Sequence, residues 1–279
     1  MQLQTPVAIP HPTFTIEPFE RVLLVGSCFA QNMGKRFVEA QFQATVNPHG
    51  VMYNPGSILH TVQRCTDSPA VAIFTLGTNH VYCWKETGKI ADNCLKLPQK
   101  LFEEKELSVD ECVAFLQQAI DILKSRNPQV RVVLTVSPIR YAKYGFVGSQ
   151  LSKSTLILAT HRLLGLHPDC TTYFPAYEIM NDELRDYRFY APDMLHPSEQ
   201  AIEYIWQRFT DVYLSSSAHT FLEEWQPLQA ALNHKPFNPD SAEYKTFLAK
   251  TLQDIRALET KYGHKLDLSA YESIVKHDE

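Results

Sequence analysis

The chain has 279 residues, of which 44% are hydrophobic and 20% are charged, and its formal net charge is −5. This is the composition of a folded globular protein, and an acidic balance without basic clusters argues against a nucleic-acid-binding surface. No apolar stretch approaches the roughly 20 residues of a membrane-spanning helix. The amino-terminal segment lacks the features of a secretion signal, and the six cysteines form no C-x-x-C pair. We therefore expect a cytoplasmic protein with reduced thiols and no membrane partner.

Short runs of β-branched residues alternate with helical patterns up to about residue 215. Strands are predicted at 21–25, 43–46, 70–76, 130–136 and 171–174, and helices at 27–41, 55–65, 109–127, 149–164 and 197–214. Near-continuous apolar strands separated by helices are typical of a parallel sheet that is covered on both faces. The prediction is an α/β fold with a five-stranded parallel sheet. An insertion at about 81–107, with a hairpin at 84–89, interrupts the alternation.

The pattern changes after residue 215, where no further strand is predicted. Asp240 is expected to cap a long helix with an apolar stripe that includes Phe247, Leu252 and Ile255. We therefore divide the chain into an α/β domain at 1–215 and a helical C-terminal extension at 216–279. Packing of the extension on its own domain is the favoured interpretation, and a homodimer formed through these helices is the alternative.

Ligands of an open α/β sheet bind beyond the carboxyl ends of the strands, so the residues that follow each strand are the candidate site. Ser27 follows the first strand at a turn made possible by Gly26, which predicts an exposed nucleophilic hydroxyl and a backbone N–H for an oxyanion. The alternative is that Ser27 only caps the following helix. The adjacent Cys28 is a second, less favoured nucleophile, because its side chain is expected to point away from the site.

Asp193 and His196 lie three residues apart, just before the helix that Pro197 is expected to begin. This spacing lets the carboxylate bind one imidazole nitrogen and leaves the other for a serine hydroxyl, as in a Ser-His-Asp triad. The alternative is a local turn in which neither side chain takes part in chemistry.

Three more residues at the same edge offer groups for a substrate or an oxyanion. Gly50 offers a backbone N–H, and Asn79 offers a side-chain amide that is equally able to close a turn. Arg140 offers a positive charge for an anionic substrate, or else pairs with a Glu or Asp. No metal-ligand spacing, phosphate-binding loop or dinucleotide motif occurs, so we predict neither a metal nor a cofactor.

The motif Gly26-Ser27-Cys28-Phe29-Ala30 resembles the one that gives the GSCFA-domain family its name. Further blocks with the same resemblance lie at 47–50, 135–138, 173–178 and 193–197, and together the blocks cover about 20–215. That family is similar to the SGNH (GDSL-like) hydrolases. The resemblance implies a flavodoxin-like three-layer α/β/α sandwich and the activity of an esterase or carbohydrate deacetylase.

Matched position by position, the resemblance gives Ser27 as nucleophile, His196 as base and Asp193 as its partner. It implies oxyanion donors at Gly50, or second at Asn54, and at Asn79. One departure is that the turn reads Gly-Ser-Cys where the superfamily has Gly-Asp-Ser. The predicted function is a serine esterase or deacylase acting on a small-molecule or carbohydrate ester, for example an O-acetyl ester. The alternatives are an acyltransferase with the same triad and a non-catalytic ligand-binding module.

Overall fold

A computed structural model describes residues 4–92, 94, 97–239 and 241–271. Within these ranges the chain forms eight strands: β1 (Arg21–Gly26), β2 (Gln43–Val46), β3 (Val71–Leu76), β4 (His80–Trp84), β5 (Ile90–Ala91), β6 (Phe102–Glu106), β7 (Arg131–Val136) and β8 (Thr171–Tyr173). Five of them form one parallel sheet in the order β2-β1-β3-β7-β8. The predicted five-stranded parallel sheet is confirmed, and its order is the flavodoxin-like one.

The helices of the described ranges are α1 (Cys28–Glu39), α2 (Pro55–Arg64), α3 (Val109–Arg126), α4 (Gly145–Leu166), α5 (Ala176–Glu178), α6 (Glu199–Tyr213), α7 (Ser216–Leu232) and α8 (Ala242–Tyr262). A π-helical turn, Ile179–Glu183, follows α5. None of these helices is long and apolar enough to cross a lipid bilayer.

The sheet is buried on both faces, and its side chains alternate between two apolar cores. On β1, Val22 and Leu24 enter the core that contains α1 and α6, whereas Leu23 and Val25 enter the core formed with α2, α3 and α4. Alternation follows from the two-residue repeat of a strand. The result is the predicted three-layer α/β/α sandwich.

The insertion between β3 and α3 forms a small antiparallel sheet in the order β5-β4-β6. The chain turns between Trp84 and Ile90, which confirms the predicted hairpin. The sequence pattern did not predict that β6 pairs with the other side of β4.

The described part of the C-terminal extension is helical and packs on the α/β body. Leu252 and Ile255 of α8 are buried in the same core as Phe37 of α1, and Trp225 Nε1 donates to the carbonyl of Glu39 at 2.7 Å. Ser241 caps α8, while the expected cap Asp240 and residues 272–279 lie outside the described residues. Self-association through these helices stays a prediction.

One predicted helix start was wrong. Ser198 caps α6, which begins at Glu199, and Pro197 instead forms an isolated antiparallel bridge with Tyr190. The helix begins after Ser198 because the hydroxyl of this serine accepts the backbone N–H of Ala201 at 3.2 Å and so caps the helix.

Gly26 ends β1 at the closest approach between β1 and β3. Its φ is +147°, and a Cβ there would stand 2.1 Å from the carbonyl oxygen of Thr75. We expect Gly26→Ala to lower the free energy of unfolding by about 1–3 kcal/mol or more, because the backbone of β3 must move. Urea denaturation tests this.

The matched control is Gly165→Ala in α4, where a Cβ meets nothing within 4 Å. It should keep or raise stability, by up to about 1 kcal/mol, because alanine favours the helix. Equal stability losses in the two variants would contradict the close packing of Gly26 against β3.

Candidate active site

The sheet order places the candidate site. The connections from β1 and β3 leave in opposite directions, and in open α/β sheets ligands bind beyond the carboxyl ends of the two strands at such a switch point. The loop after β7 and the segment 193–196 meet at this edge, because the backbone N–H of Arg140 donates to the carbonyl of Leu195 at 3.0 Å. Residues that are far apart in the chain therefore converge there.

Asp193 and His196 form the pair that the sequence predicts. Asp193 Oδ2 lies 2.6 Å from His196 Nδ1, and Asp193 Oδ1 accepts the backbone N–H groups of Leu195 at 2.9 Å and His196 at 3.0 Å. The intervening Met194 has φ of +59°, a conformation that a tight turn requires. Both side chains are about half exposed.

The hydrogen bonds to Asp193 fix its charge. The N–H groups of His196 and Leu195, and then the imidazole, lower the pKa of Asp193 to about 2. The side chain therefore stays a carboxylate at neutral pH and holds Nδ1 of His196. Nε2 is left to exchange a proton with a reacting group, which is the arrangement of a general base.

Ser27 lies at the start of α1, but its side chain turns inward. It is fully buried, and its Oγ lies 3.2 Å from Thr75 Oγ1 and accepts the backbone N–H of Phe29 at 3.2 Å. Its own N–H, the predicted oxyanion donor, donates to the carbonyl of Thr75 at 3.1 Å. In the described part of the chain no hydrogen bond joins Ser27 to His196. The structure thus gives Ser27 the capping role and does not bring it to the His–Asp pair.

Two of the expected oxyanion donors, Gly50 and Asn79, donate elsewhere in the structure, and Asn54 caps a helix with its side-chain oxygen. The N–H of Gly50 donates to the carbonyl of Asn47 at 2.8 Å within a turn. Asn79 Nδ2 donates to the carbonyl of Leu107 at 2.8 Å. Asn54 Oδ1 accepts the N–H of Ser57 at 2.9 Å as the cap of α2.

Arg140 lies at the edge and contacts the loop that carries the His–Asp pair. Its guanidinium donates to the carbonyl of Met194 at 3.0 Å and lies 4.1 Å from the centre of the Phe146 ring. Among the described residues no carboxylate pairs with it, so the expected alternative of an ion pair was wrong. Arg140 holds the 193–196 segment, and contact with a substrate stays a prediction.

Comparisons with known proteins place the chain in a family. A model of the GSCFA family matches residues 21–72 and 59–209, and a model of the GSCFA domain protein C-terminal domain matches 225–276. The chain belongs to the GSCFA family. No protein among the curated sequences compared with this GSCFA chain matches it.

Solved structures with similar folds include hydrolases. A member of the lipolytic protein G-D-S-L family from Veillonella parvula is 10% identical, with a TM-score of 0.46, over 69% of this chain and 97% of that one. A variant of an acetyl-xylooligosaccharide esterase from Geobacillus Stearmophilus is 12% identical, with a TM-score of 0.48, over 73% of this chain and 100% of that one.

The GSCFA chain also places residues at this edge that the sequence analysis missed. Lys153 on α4 is 1% exposed, and its Nζ donates to the carbonyls of Gly77 and Ser137 at 2.7 Å each. Burial lowers its pKa to about 7. A lysine in helical register with Leu156 and Leu163 on an apolar stripe was the signal available in the sequence.

Two more side chains complete the edge. The hydroxyl of Tyr141 is buried and has no hydrogen-bond partner among the described residues. Cys28, the first residue of α1, is partly exposed. No group of three or more His, Cys, Asp or Glu side chains in the described ranges is arranged to hold a metal ion.

Proposed function

We propose that this GSCFA chain is an acyl-ester hydrolase, an esterase or deacylase whose substrate is a small-molecule or carbohydrate ester such as an O-acetyl ester. The observation that carries the proposal is the carboxylate-oriented imidazole of His196 at the carboxyl edge of the sheet. His196 Nε2 takes the proton of a nucleophile at the start of α1 and returns it to the leaving alkoxide. Water then releases the acyl group by the same route.

The charges at the edge suit this reaction. Acyl transfer develops a negative charge on the carbonyl oxygen, and donors fixed in advance stabilise it. The amino terminus of α1 contributes a partial positive charge. Lys153 adds a buried ammonium group behind the loops that follow β3 and β7. Both groups, the helix terminus and the protonated lysine, favour a negative charge on the carbonyl oxygen.

Turnover of p-nitrophenyl acetate and of a peracetylated monosaccharide tests the proposal. We expect His196→Ala to lower kcat by about 10²–10⁴-fold, the usual contribution of a general base. The matched control is His60→Ala, because His60 Nδ1 also lies 2.6 Å from a carboxylate, Asp92, but on α2. It should keep the wild-type rate.

The result that would contradict the proposal is the same rate in wild type and His196→Ala. A protein that binds acetylated sugars but does not hydrolyse either ester would indicate the alternative, a ligand-binding module. The buried, hydrogen-bonded Ser27 is the observation that favours this alternative.

A further inference from the structure

We propose that the nucleophile of this site is the thiol of Cys28 and not the hydroxyl of Ser27. The inference rests on the proposed acyl-transfer function and names the group that forms the covalent intermediate. It follows from the different environments of two consecutive side chains at the start of α1, since Ser27 is buried and Cys28 is partly exposed.

The side chain of Ser27 points into the sheet. It is fully buried, and its contact Thr75 faces the same core as Val71 and Ile73, beneath α1. Capping a helix requires this inward position, because Oγ must reach the N–H of Phe29. An acyl substrate cannot reach Oγ without breaking both contacts.

Cys28 is one residue further along and is partly exposed. Of the six cysteines, Cys28 and Cys94 are partly exposed, and the others are buried. As the first residue of α1, Cys28 stands just beyond the carboxyl end of β1, at the switch point between the connections of β1 and β3. Its thiol therefore occupies the place where the sequence predicts the nucleophile.

The surroundings of the thiol link it to the His–Asp pair. The pKa of Cys28 is raised on balance, chiefly by burial and also by the charge of Asp193, although the N–H groups of Cys28 and Phe29 and the charge of Lys153 lower it. The charges of Lys153 and Asp193 therefore both act on the thiol, in opposite directions. Groups near a reactive thiolate often include a lysine and a helix amino terminus.

Unused hydrogen-bond donors in the same place indicate that an anion forms there. The buried Tyr141 hydroxyl has no partner in the part of the chain that the structure describes, and it lies 2.5 Å from where a Cβ on Gly77 would stand. Lys153 Nζ, bonded to the carbonyl of Gly77, lies 5.2 Å from the centre of the Tyr141 ring. In the described residues its two acceptors leave one of its three protons unused. A buried donor without an acceptor is costly, so an oxyanion or thiolate beside it gains stability.

The covalent steps balance with water as the second reactant. His196 takes the thiol proton, Sγ attacks the ester carbonyl carbon, and the C–S bond forms while the carbonyl π pair moves to oxygen. Collapse of this oxyanion breaks the C–O bond, and the alkoxide takes the proton from His196. Water then attacks the thioester with His196 as base, the C–S bond breaks, and the acid and the free thiol are released.

Alkylation by iodoacetamide, mapped by peptide mass spectrometry, tests the thiol without any substrate. We expect Cys28 to be alkylated at least tenfold faster than Cys94 at neutral pH, because His196 takes the proton of the Cys28 thiol as it reacts. His196→Ala should lower the alkylation rate of Cys28 and leave that of Cys94 unchanged. Equal rates at Cys28 and Cys94, or a Cys28 rate that does not depend on His196, would overturn the inference.

Turnover of p-nitrophenyl acetate is the second readout. We expect Cys28→Ala to reduce multiple turnover to background and Cys28→Ser to reduce it at least tenfold. Cys94→Ala should keep the wild-type rate, and Ser27→Ala should keep most of its turnover, with a lower Tm because a helix cap is lost. Circular dichroism confirms that each variant folds.

The outcomes separate the two proposals. His196-dependent turnover that survives Cys28→Ala but is lost in Ser27→Ala would overturn the inference and support the hydrolase. Fast, His196-dependent alkylation of Cys28 without ester turnover would contradict the proposed hydrolysis and support Cys28 as the reactive group.

Discussion

Asp193→Asn is expected to lower kcat for ester hydrolysis by about 10³–10⁴-fold while the fold is kept. The amide oxygen of asparagine can still accept the N–H groups of Leu195 and His196, so the loop geometry survives. Its NH₂ group, however, takes the place of Oδ2 and donates to His196 Nδ1. The imidazole proton then moves to Nε2, and the base can no longer accept a proton there.

Asp186→Asn is the matched control, because Asp186 Oδ1 also accepts a backbone N–H two residues on, from Arg188, at 2.9 Å, but does not bind a histidine. It should keep the wild-type kcat. Steady-state kinetics at saturating substrate measure both variants. Combined with His196→Ala, Asp193→Asn should have almost no further effect, since the two residues act as one unit. Additive losses would contradict the pair.

Lys153→Met is expected to change how stability depends on pH. Burial lowers the pKa of Lys153 to about 7, below its value in the unfolded chain, so the unfolded state binds more protons above pH 7. Stability therefore rises with pH in that window, by about 2–3 kcal/mol between pH 7 and pH 9 if the full shift applies. The rise should be absent from the variant.

Urea denaturation at a series of pH values measures this effect as the difference between wild type and variant. Taking this difference removes the contribution of the other titratable groups to the pH dependence, because they are the same in wild type and variant. Lys35→Met is the control, because the Lys35 side chain is 66% exposed on α1. It should keep the wild-type pH profile. A Lys153→Met profile parallel to wild type would contradict a buried ammonium of low pKa.

The sequence pattern predicted the sheet because the apolar runs are short, contain few charges and alternate with helices. The run predicted at 130–136 is strand β7, which is buried in the sheet and begins one residue later than predicted, at Arg131. The three-stranded insertion was only partly predicted. Phe102–Glu106 is a charged edge strand that pairs with β4. Its residues do not alternate between apolar and polar, so the sequence pattern did not predict a strand there.

At the site, spacing predicted the His–Asp pair because a three-residue turn determines it locally. Gly50 and Asn79 were misjudged because their hydrogen-bond partners, Asn47 and Leu107, depend on the turn and on the inserted sheet. Consecutive side chains at a helix start point in different directions. The periodicity of the sequence does not show which of Ser27 and Cys28 faces the site. That choice required the buried contact with Thr75.

Trapping the acyl-enzyme tests most directly whether this edge transfers acyl groups. The protein is quenched with acid during turnover of p-nitrophenyl acetate, and tandem mass spectrometry locates the acetyl group. We expect the acetyl group on Cys28, in a thioester bond that neutral hydroxylamine cleaves. We expect no adduct in Cys28→Ala. An acetyl group on Ser27 that resists hydroxylamine would overturn Cys28 as the nucleophile, and turnover without any adduct on 26–30 would contradict acyl transfer at this edge.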